Sequence, residues 1–463
     1  MAAPTSYSLP PLQASPVSAE ARLAYVLWHF RRAYEPAQLP SIGYADSQPI
    51  IEVTDGAGSF FEQTAPYPAA PSFREWQGRS LPFFFDPNPN GPLLTLSPGR
   101  AEIHADVLAA AFYLLSGWQE YYSDERDQHG RFPFSASVQQ RYGFVAVPVV
   151  NYYFDVLRRA VEHVTGRALH PRRWADGAPF ATFVTHDIDN LYSAWKEPAK
   201  NALRRGDVAG FGKQLWQHLT RPDAWDNLAQ VRAAVAEHGA VSTFFLLPEH
   251  RPGPGGTPNA DYRFQAAWPR ITAALGDAEV GLHGSLGTAR HDGHLHRDRQ
   301  QLPVPVAGLR FHYLSWEPRL TPALVSLLDF PFDSTLGFAE HFGFRHSYCH
   351  PFRPYYLSPA LVTGPQQAQV CPFLEIPLNL MDATLHHPRY LQLSPEEILP
   401  AVEPMLREIE RFGGVFTLLW HNENFDPANQ VNGPQEFHRL MAYLRGRGTA
   451  FLTGQAICEM VRW

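Results

Sequence analysis

A chain of 463 residues, 45% hydrophobic and 18% charged, has an ordinary globular composition and is long enough for two or three domains. A formal charge of −7, with no clustered run of Lys and Arg, argues against a nucleic-acid or anionic-membrane partner. Three cysteines, Cys349, Cys371 and Cys458, without C-x-x-C spacing build neither a disulfide framework nor a thiolate metal site, so a reducing compartment is expected.

Residues 1–17 are rich in Pro, Ser and Ala and read as a flexible lead. Residues 1–30 lack a basic stretch followed by an apolar one, and no window approaches about 18 uninterrupted apolar residues. A soluble, cytoplasmic protein with no membrane partner is therefore expected. From 18 to 100, short apolar runs such as LPFFFD (81–86) alternate with Pro, Gly and Asn clusters, which predicts strands joined by turns. Val107, Ala111, Leu115 and Trp118 then recur at helical spacing, as do Val150, Phe154, Leu157, Val161 and Val164 ahead of Gly166, a helix stop. The segment GRALHPRRWADGAP (166–179) has turn residues and little periodicity, and a domain boundary is placed there.

Beyond it, strand candidates FATFVT (180–185), VSTFFLL (241–247), AEVGLH (278–283), CPFLEIPL (371–378), GVFTLLWH (414–421) and TAFLT (449–453) alternate with amphipathic segments. One predicted helix runs from Asp223 to Gly239; another opens at Ser394-Pro-Glu-Glu397, an N-cap, a first-turn proline and a capping-box glutamate. Near-continuous apolar strands separated by helices imply a mainly parallel sheet, open or closed into a barrel.

In such α/β folds the ligand site lies at the carboxyl ends of the strands. The first strand ends in Thr185-His186-Asp187-Ile188-Asp189, the third in His283-Gly-Ser285, the segment GLRFHY offers Arg310 and His312, and GVFTLLWH ends in His421-Asn422. Singly, each has an ordinary structural reading: a cap or turn aspartate, a hydrogen-bonded histidine, an ion-pair arginine, a loop histidine. Their coincidence at several strand ends points to metal-assisted hydrolysis. Two carboxylates one residue apart point the same way in extended chain, so one can ligate a divalent ion while the other serves as base. A departing amine must be protonated, a task suited to His421.

These residues resemble the motifs of the polysaccharide deacetylases, the NodB-homology members of carbohydrate esterase family 4, over about 178–460. Thr185-His-Asp-Ile-Asp189 resembles the first motif, His283-Gly-Ser the start of the second, Arg310-Phe-His-Tyr313 the third, Asp333-Ser-Thr the fourth and Leu418-Leu-Trp-His421 the fifth. The resemblance implies an α/β fold in which a NodB-like distorted β/α barrel (178–463) follows a smaller α/β domain (18–165). That smaller domain resembles an uncharacterised one found in a bacterial subgroup of these enzymes. It further implies Asp187 as catalytic base, Asp189 and His283 as ligands of a divalent metal ion, zinc first among them, Arg310 and Asp333 as orienting residues for Asp187 and His421, and His421 as general acid. Tyr313, Trp420, Asn422 and Asp382 are expected to contact the carbohydrate.

The second motif normally supplies two histidines four residues apart, but the position four after His283 is Gly287. His312 or one of His291, His294 and His296 would have to complete the metal shell; His312 is chosen because it shares a face with Arg310 in extended chain. The activity implied is removal of N-acetyl or related acyl groups from a carbohydrate. Two alternatives stand beside it: metal-free hydrolysis of a small non-peptide amide on the same fold, and a catalytically silent carbohydrate-binding scaffold. In the first domain Glu120, Asp124, Asp127 and Arg131 either line the cleft or form a plain helix end and charged turn. The stretch GFRHSYCHPFRPYYL (343–357) either stacks against sugar rings or packs under a loop.

Overall fold

The computed structural model describes residues 12, 16–34, 38–357, 369–429 and 433–461. Most of the expected flexible lead lies outside them; Val17 is buried and its N–H donates to the Phe61 carbonyl at 3.2 Å. The amino-terminal region contains β1 (Ile42–Gly43), β2 (Ile51–Val53), β3 (Ser72–Trp76), β4 (Arg79–Phe83), β5 (Leu94–Ser97) and β6 (Arg100–Ile103). Four of them form a sheet in the order β1-β2-β6-β5, parallel except for β5 with β6. β3 and β4 form a separate hairpin around Gln77-Gly78, both at positive φ (53° and 75°), the two-residue turn that matches strand twist.

Strands from residue 18 onward were expected, and here the structure corrects the sequence reading: Ala19–Ala33 is a helix. The Ser18 hydroxyl caps it by accepting from the Ala21 N–H at 3.2 Å, and Tyr25, Val26, Phe30 and Ala33 are its buried apolar residues. The helix Val107–Leu115 is buried throughout but stops before Trp118. Gly117 sits at φ 68°, and a Cβ there would meet the His346 ring at 3.2 Å, so the chain turns and restarts as Trp118–Tyr122. Val149–Thr165 ends on left-handed Gly166, as its sequence implies.

The second sheet is parallel throughout and comprises β7 (Ala181–Ile188), β8 (Ser242–Leu246), β9 (Glu279–Gly284), β10 (Leu309–Phe311), β11 (Phe332–Asp333), β12 (Leu374–Glu375), β13 (Leu380–Met381), β14 (Val415–Leu419) and β15 (Ala450–Phe451). Its order is β12-β11-β10-β9-β8-β7-β14-β13, with β15 beside the start of β7. β12 and β13, at opposite ends of that order, are only four residues apart in the chain, so the sheet curls into a nearly closed barrel. Of the expected strand 371–378 only Leu374–Glu375 forms, and β13 lies just beyond it. Inside, Phe183, Phe245 and Phe332 pack edge to face at 5.9 and 6.4 Å. Gly308 makes room for them, since a Cβ there would lie 2.2 Å from the Phe332 ring.

Of the expected helices, Pro395–Phe412 forms with its complete capping box. The one expected from Asp223 begins later, at Leu228–Ala236, because the Asp223 carboxylate accepts from the main chain of Ala194 and Trp225 instead. Two unanticipated helices, Lys196–Arg204 and Val208–Thr220, precede it.

One buried apolar cluster runs through both regions. Most of the stretch 343–357 packs into this junction rather than facing a cleft: Phe344, Tyr348, Cys349 and Phe352 are buried, and the Tyr348 ring meets Phe154 at 5.6 Å. Arg345 donates two hydrogen bonds, 2.8 and 2.6 Å, to the Glu120 carboxylate, with both side chains buried. Burial alone would raise the Glu120 pKa, but Arg345 holds it at about 2. Glu120→Ala leaves a buried guanidinium unpaired and is expected to lower the unfolding free energy by about 3–5 kcal/mol in urea denaturation. A loss below about 1 kcal/mol, the scale of an exposed pair, would mean that water reaches Arg345.

Candidate active site

The pleat explains why a strand should end in paired carboxylates. Ala181 and Phe183 point to the barrel interior, Val184 and Ile188 to the outer core, so Thr185 and Asp187 continue the inward row. His186 points outward, where its Nδ1 donates to the Trp420 carbonyl at 2.6 Å and its ring packs on Phe244; burial lowers its pKa to about 4. Arg310, on β10, fills the interior above the Phe245 ring at 4.6 Å. Its Nη1 donates to Thr185 Oγ1 at 2.7 Å and to Asp187 Oδ1 at 3.0 Å, while Nε and Nη2 donate to the Ser334 carbonyl and hydroxyl. Asp187 is therefore gripped on one oxygen by a buried, permanently charged donor.

Asp189, His283 and His312 form, among the described residues, a group able to hold a metal ion, their ligand atoms lying within 4.8 Å of one another. His283 Nδ1 donates to the Arg310 carbonyl at 3.0 Å, and His312 Nε2 to the Pro258 carbonyl at 3.3 Å. Each ring thereby turns its other nitrogen inward: His283 Nε2 and His312 Nδ1 are 3.1 Å apart, and 3.3 and 3.4 Å from Asp189 Oδ1. Asp189 Oδ1 is buried and has no hydrogen-bond partner among the described residues. Three lone-pair atoms facing one another fit a cation. Burial opposes charge on His283, yet Asp187 and Asp189 raise its pKa; burial lowers that of His312 to about 4, and the neighbouring imidazoles outweigh burial to hold the Asp189 carboxyl well below the usual range.

His312 enters on a strained turn. Tyr313 and Leu314 sit at φ 57° and 54°, a region few side chains adopt. The turn is held from the amino-terminal region: Arg131 Nη1 donates to the Tyr313 carbonyl at 2.9 Å, Arg131 is paired with Asp127 at 2.6 Å, and His129 stacks on the Tyr313 ring at 4.6 Å. On the opposite side His421, just after β14, lies with Nε2 3.8 Å from Asp189 Oδ2. Its Nδ1 donates to Asp382 Oδ1 at 2.8 Å and its main-chain N–H to Asp382 Oδ2 at 2.6 Å. Burial would favour the neutral ring, but Asp382 raises the His421 pKa well above its ordinary value. Asp187, Asp189, His283, His312, Tyr313 and His421 all line a single cavity of 680 Å³.

Residues 21–166 match a family of unknown function, DUF7033. No curated protein matches the chain. Among solved structures it resembles one described as a polysaccharide deacetylase from Mycobacterium smegmatis, at 18% identity and a TM-score of 0.41 over 63% of this chain and 93% of that one. It also resembles Puue allantoinase, at 12% identity and a TM-score of 0.38 over 63% of this chain and 93% of that one. A third, described as a polysaccharide deacetylase from Pseudomonas aeruginosa PAO1, has 11% identity and a TM-score of 0.38 over 63% of this chain and 94% of that one. With likeness this distant, the reading of the site rests on its own geometry.

Three expected site residues, Asp333, Trp420 and Asn422, lie away from the cavity, and Asp382 takes a role other than substrate contact. Asp333 is fully buried, accepts from the Thr335 N–H and hydroxyl at 2.9 and 3.0 Å, and sits beside Glu375. Burial raises its pKa to about 6 and that of Glu375 further. The carboxylate bound to His421 is Asp382, not Asp333, and Asp382 is too deeply buried to meet substrate itself. Trp420 is buried against Phe437, and the Asn422 amide donates to the carbonyls of Asn190 and Trp225. His291, His294 and His296 flank or sit on the helix Asp292–Gln301, outside the metal-ligating group.

One feature had no sequence signal: Glu423 reaches the cavity, its carboxyl raised to about 7 by burial. Residues of the stretch 127–131 in the amino-terminal region also form part of the wall. Of the four charged residues flagged in that region, Asp127 and Arg131 reach the cavity, whereas Glu120 and Asp124 pair with Arg345 and Arg319.

Proposed function

We propose that the protein is a metal-dependent hydrolase that removes N-acetyl or related acyl groups from an amino sugar in a carbohydrate. One observation carries this reading: an Arg310-held carboxylate, an Asp382-held imidazolium and a lone-pair triad of Asp189, His283 and His312 face the same cavity. Four of the five motif segments, those of Asp187, His283, Arg310 and His421, meet at this site and support it. A divalent ion, zinc in the first instance, held by Asp189, His283 and His312 would supply Lewis acidity toward the acyl carbonyl and the attacking water.

Everything else is the work of side chains. Asp187, fixed on Oδ1 by Arg310, turns Oδ2 to within 3.6 Å of His283 Nε2, beside the metal-ligating group, where it takes the proton of the attacking water. His421, protonated near neutral pH because Asp382 stabilises its charge, donates to the leaving amine from Nε2. The Tyr313–His129 stack at the wall offers a flat face to a sugar ring. Exhaustive chelation of the full-length protein is expected to lower amine release from N-acetylglucosamine oligomers by about 100-fold or more, with zinc restoring it. Undiminished turnover of a small amide after confirmed metal removal would instead favour the metal-free reading, and sugar binding without amine release the scaffold reading.

A further inference from the structure

The helical hairpin between β7 and β8 is unlike the rest of the surface. Val208–Thr220 has no buried residue, although it carries an apolar stripe at helical spacing: Val208, Leu215, Trp216 and Leu219. Val208 is 75% exposed, Trp216 58% and Leu219 73%, and Leu203 on the preceding helix, Lys196–Arg204, adds to the patch. An amphipathic helix normally turns such a stripe to the core. This one turns it to solvent.

The same segment concentrates positive charge in an acidic protein. All three lysines of the chain, Lys196, Lys200 and Lys213, lie here with Arg204, Arg205 and Arg221, against only Glu197 and Asp207, while the whole chain carries −7. Lys196, Lys200 and Lys213 are exposed, and the Arg221 guanidinium lies 5.9 Å from the Trp216 ring at the end of the stripe. The hairpin is seated rather than loose: Leu191 and Tyr192 N–H groups donate to the Asp261 carboxylate at 2.7 and 2.9 Å, and the Trp195 ring stacks on His218 at 4.5 Å.

We infer that this hairpin docks the protein onto an anionic lipid bilayer, Trp216, Leu215, Leu219 and Val208 entering the headgroup boundary and the surrounding Lys and Arg meeting lipid phosphates. An exposed Leu, Val and Trp stripe flanked by cations has the composition of an interfacial helix. A second copy of the chain is the poorer occupant, since a two-fold contact through this face would set its cations against themselves. The expectation of no membrane partner rested on net charge, the lack of a contiguous Lys and Arg run and the lack of a long apolar window; the cations here are spaced along two helices and so form no run. The hairpin starts from the strand end that carries Asp187 and Asp189, so docking would bring the cavity near the lipid surface. The inference does not depend on the reaction proposed above.

The test is co-sedimentation of the full-length protein with phosphatidylcholine vesicles, with and without phosphatidylglycerol. Binding to the mixed vesicles and not to the neutral ones is expected, weakened by salt. Leu215→Ser/Leu219→Ser and Lys200→Glu/Lys213→Glu should each reduce it by about tenfold or more, with circular dichroism and melting unchanged because all four side chains are exposed. Absence of binding, equal binding to neutral vesicles, or binding insensitive to both variants would overturn the inference. So would a vesicle-free dimer, seen by sedimentation velocity, that the Leu215→Ser/Leu219→Ser change dissolves.

Discussion

Asp187→Asn is expected to lower kcat by about 10²–10⁴, the range a positioned general base contributes, while zinc content and fold are retained. The substitution is nearly isosteric, and its amide oxygen can still accept from Arg310 Nη1, as Asp187 Oδ1 does at 3.0 Å. Arg310 also keeps its acceptors Thr185 Oγ1, the Ser334 carbonyl and the Ser334 hydroxyl. The variant loses the second carboxylate oxygen and with it the proton acceptor. The buried guanidinium also loses its counter-charge, so some drop in melting temperature accompanies the loss of rate. A fall of less than about threefold in kcat, with metal content unchanged, would place the base elsewhere.

Asp382→Asn should move the pH profile rather than simply scale it. The buried Asp382 carboxylate stabilises the His421 imidazolium, raising its pKa. As general acid His421 must be protonated, so activity is present below its pKa and lost as pH rises through it. Removing the negative charge lowers that pKa toward the unperturbed value of about 6.5, and the basic limb of kcat against pH shifts to lower pH. The rate loss therefore grows with pH across the neutral range and is smallest on the acid side. His421→Ala removes the limb altogether. A basic limb unmoved in Asp382→Asn would show that His421 is not the group being titrated.

The long strands were legible because burial on both faces writes a continuous apolar run, as in Ala181–Ile188 and Ser242–Leu246. Two-residue strands such as Phe332–Asp333 and Leu380–Met381 leave no such trace, and this is why the partner of His421 was misassigned. Motif order pointed to Asp333, but β11 lies between β10 and β12, whereas Met381 on β13 pairs with Leu419 on β14 and brings Asp382 beside His421. Strand adjacency decides the assignment, and sequence order does not contain it. The helix Ala19–Ala33 was absorbed into a Pro- and Gly-rich neighbourhood despite its Ser18 cap. The sequence of Val208–Thr220 does not say which way its apolar stripe faces, because that is decided by what packs around the helix. The approach of residues 127–131 to Tyr313 joins positions far apart in the chain and has no local signature.

The two carboxylates closing the first strand were legible in the residues, and the family resemblance implied Asp189 and His283 as ligands with His312 as the third; the structure places His312 on the turn just past β10, with its ring beside both. Zinc titration of the full-length protein is the most direct test of that constellation. Wild type is expected to bind one zinc ion, His312→Ala to bind it about 100-fold or more weakly, and the triple change His291→Ala/His294→Ala/His296→Ala to bind as wild type does. Undiminished affinity in His312→Ala, or its loss in the triple variant, would contradict the account.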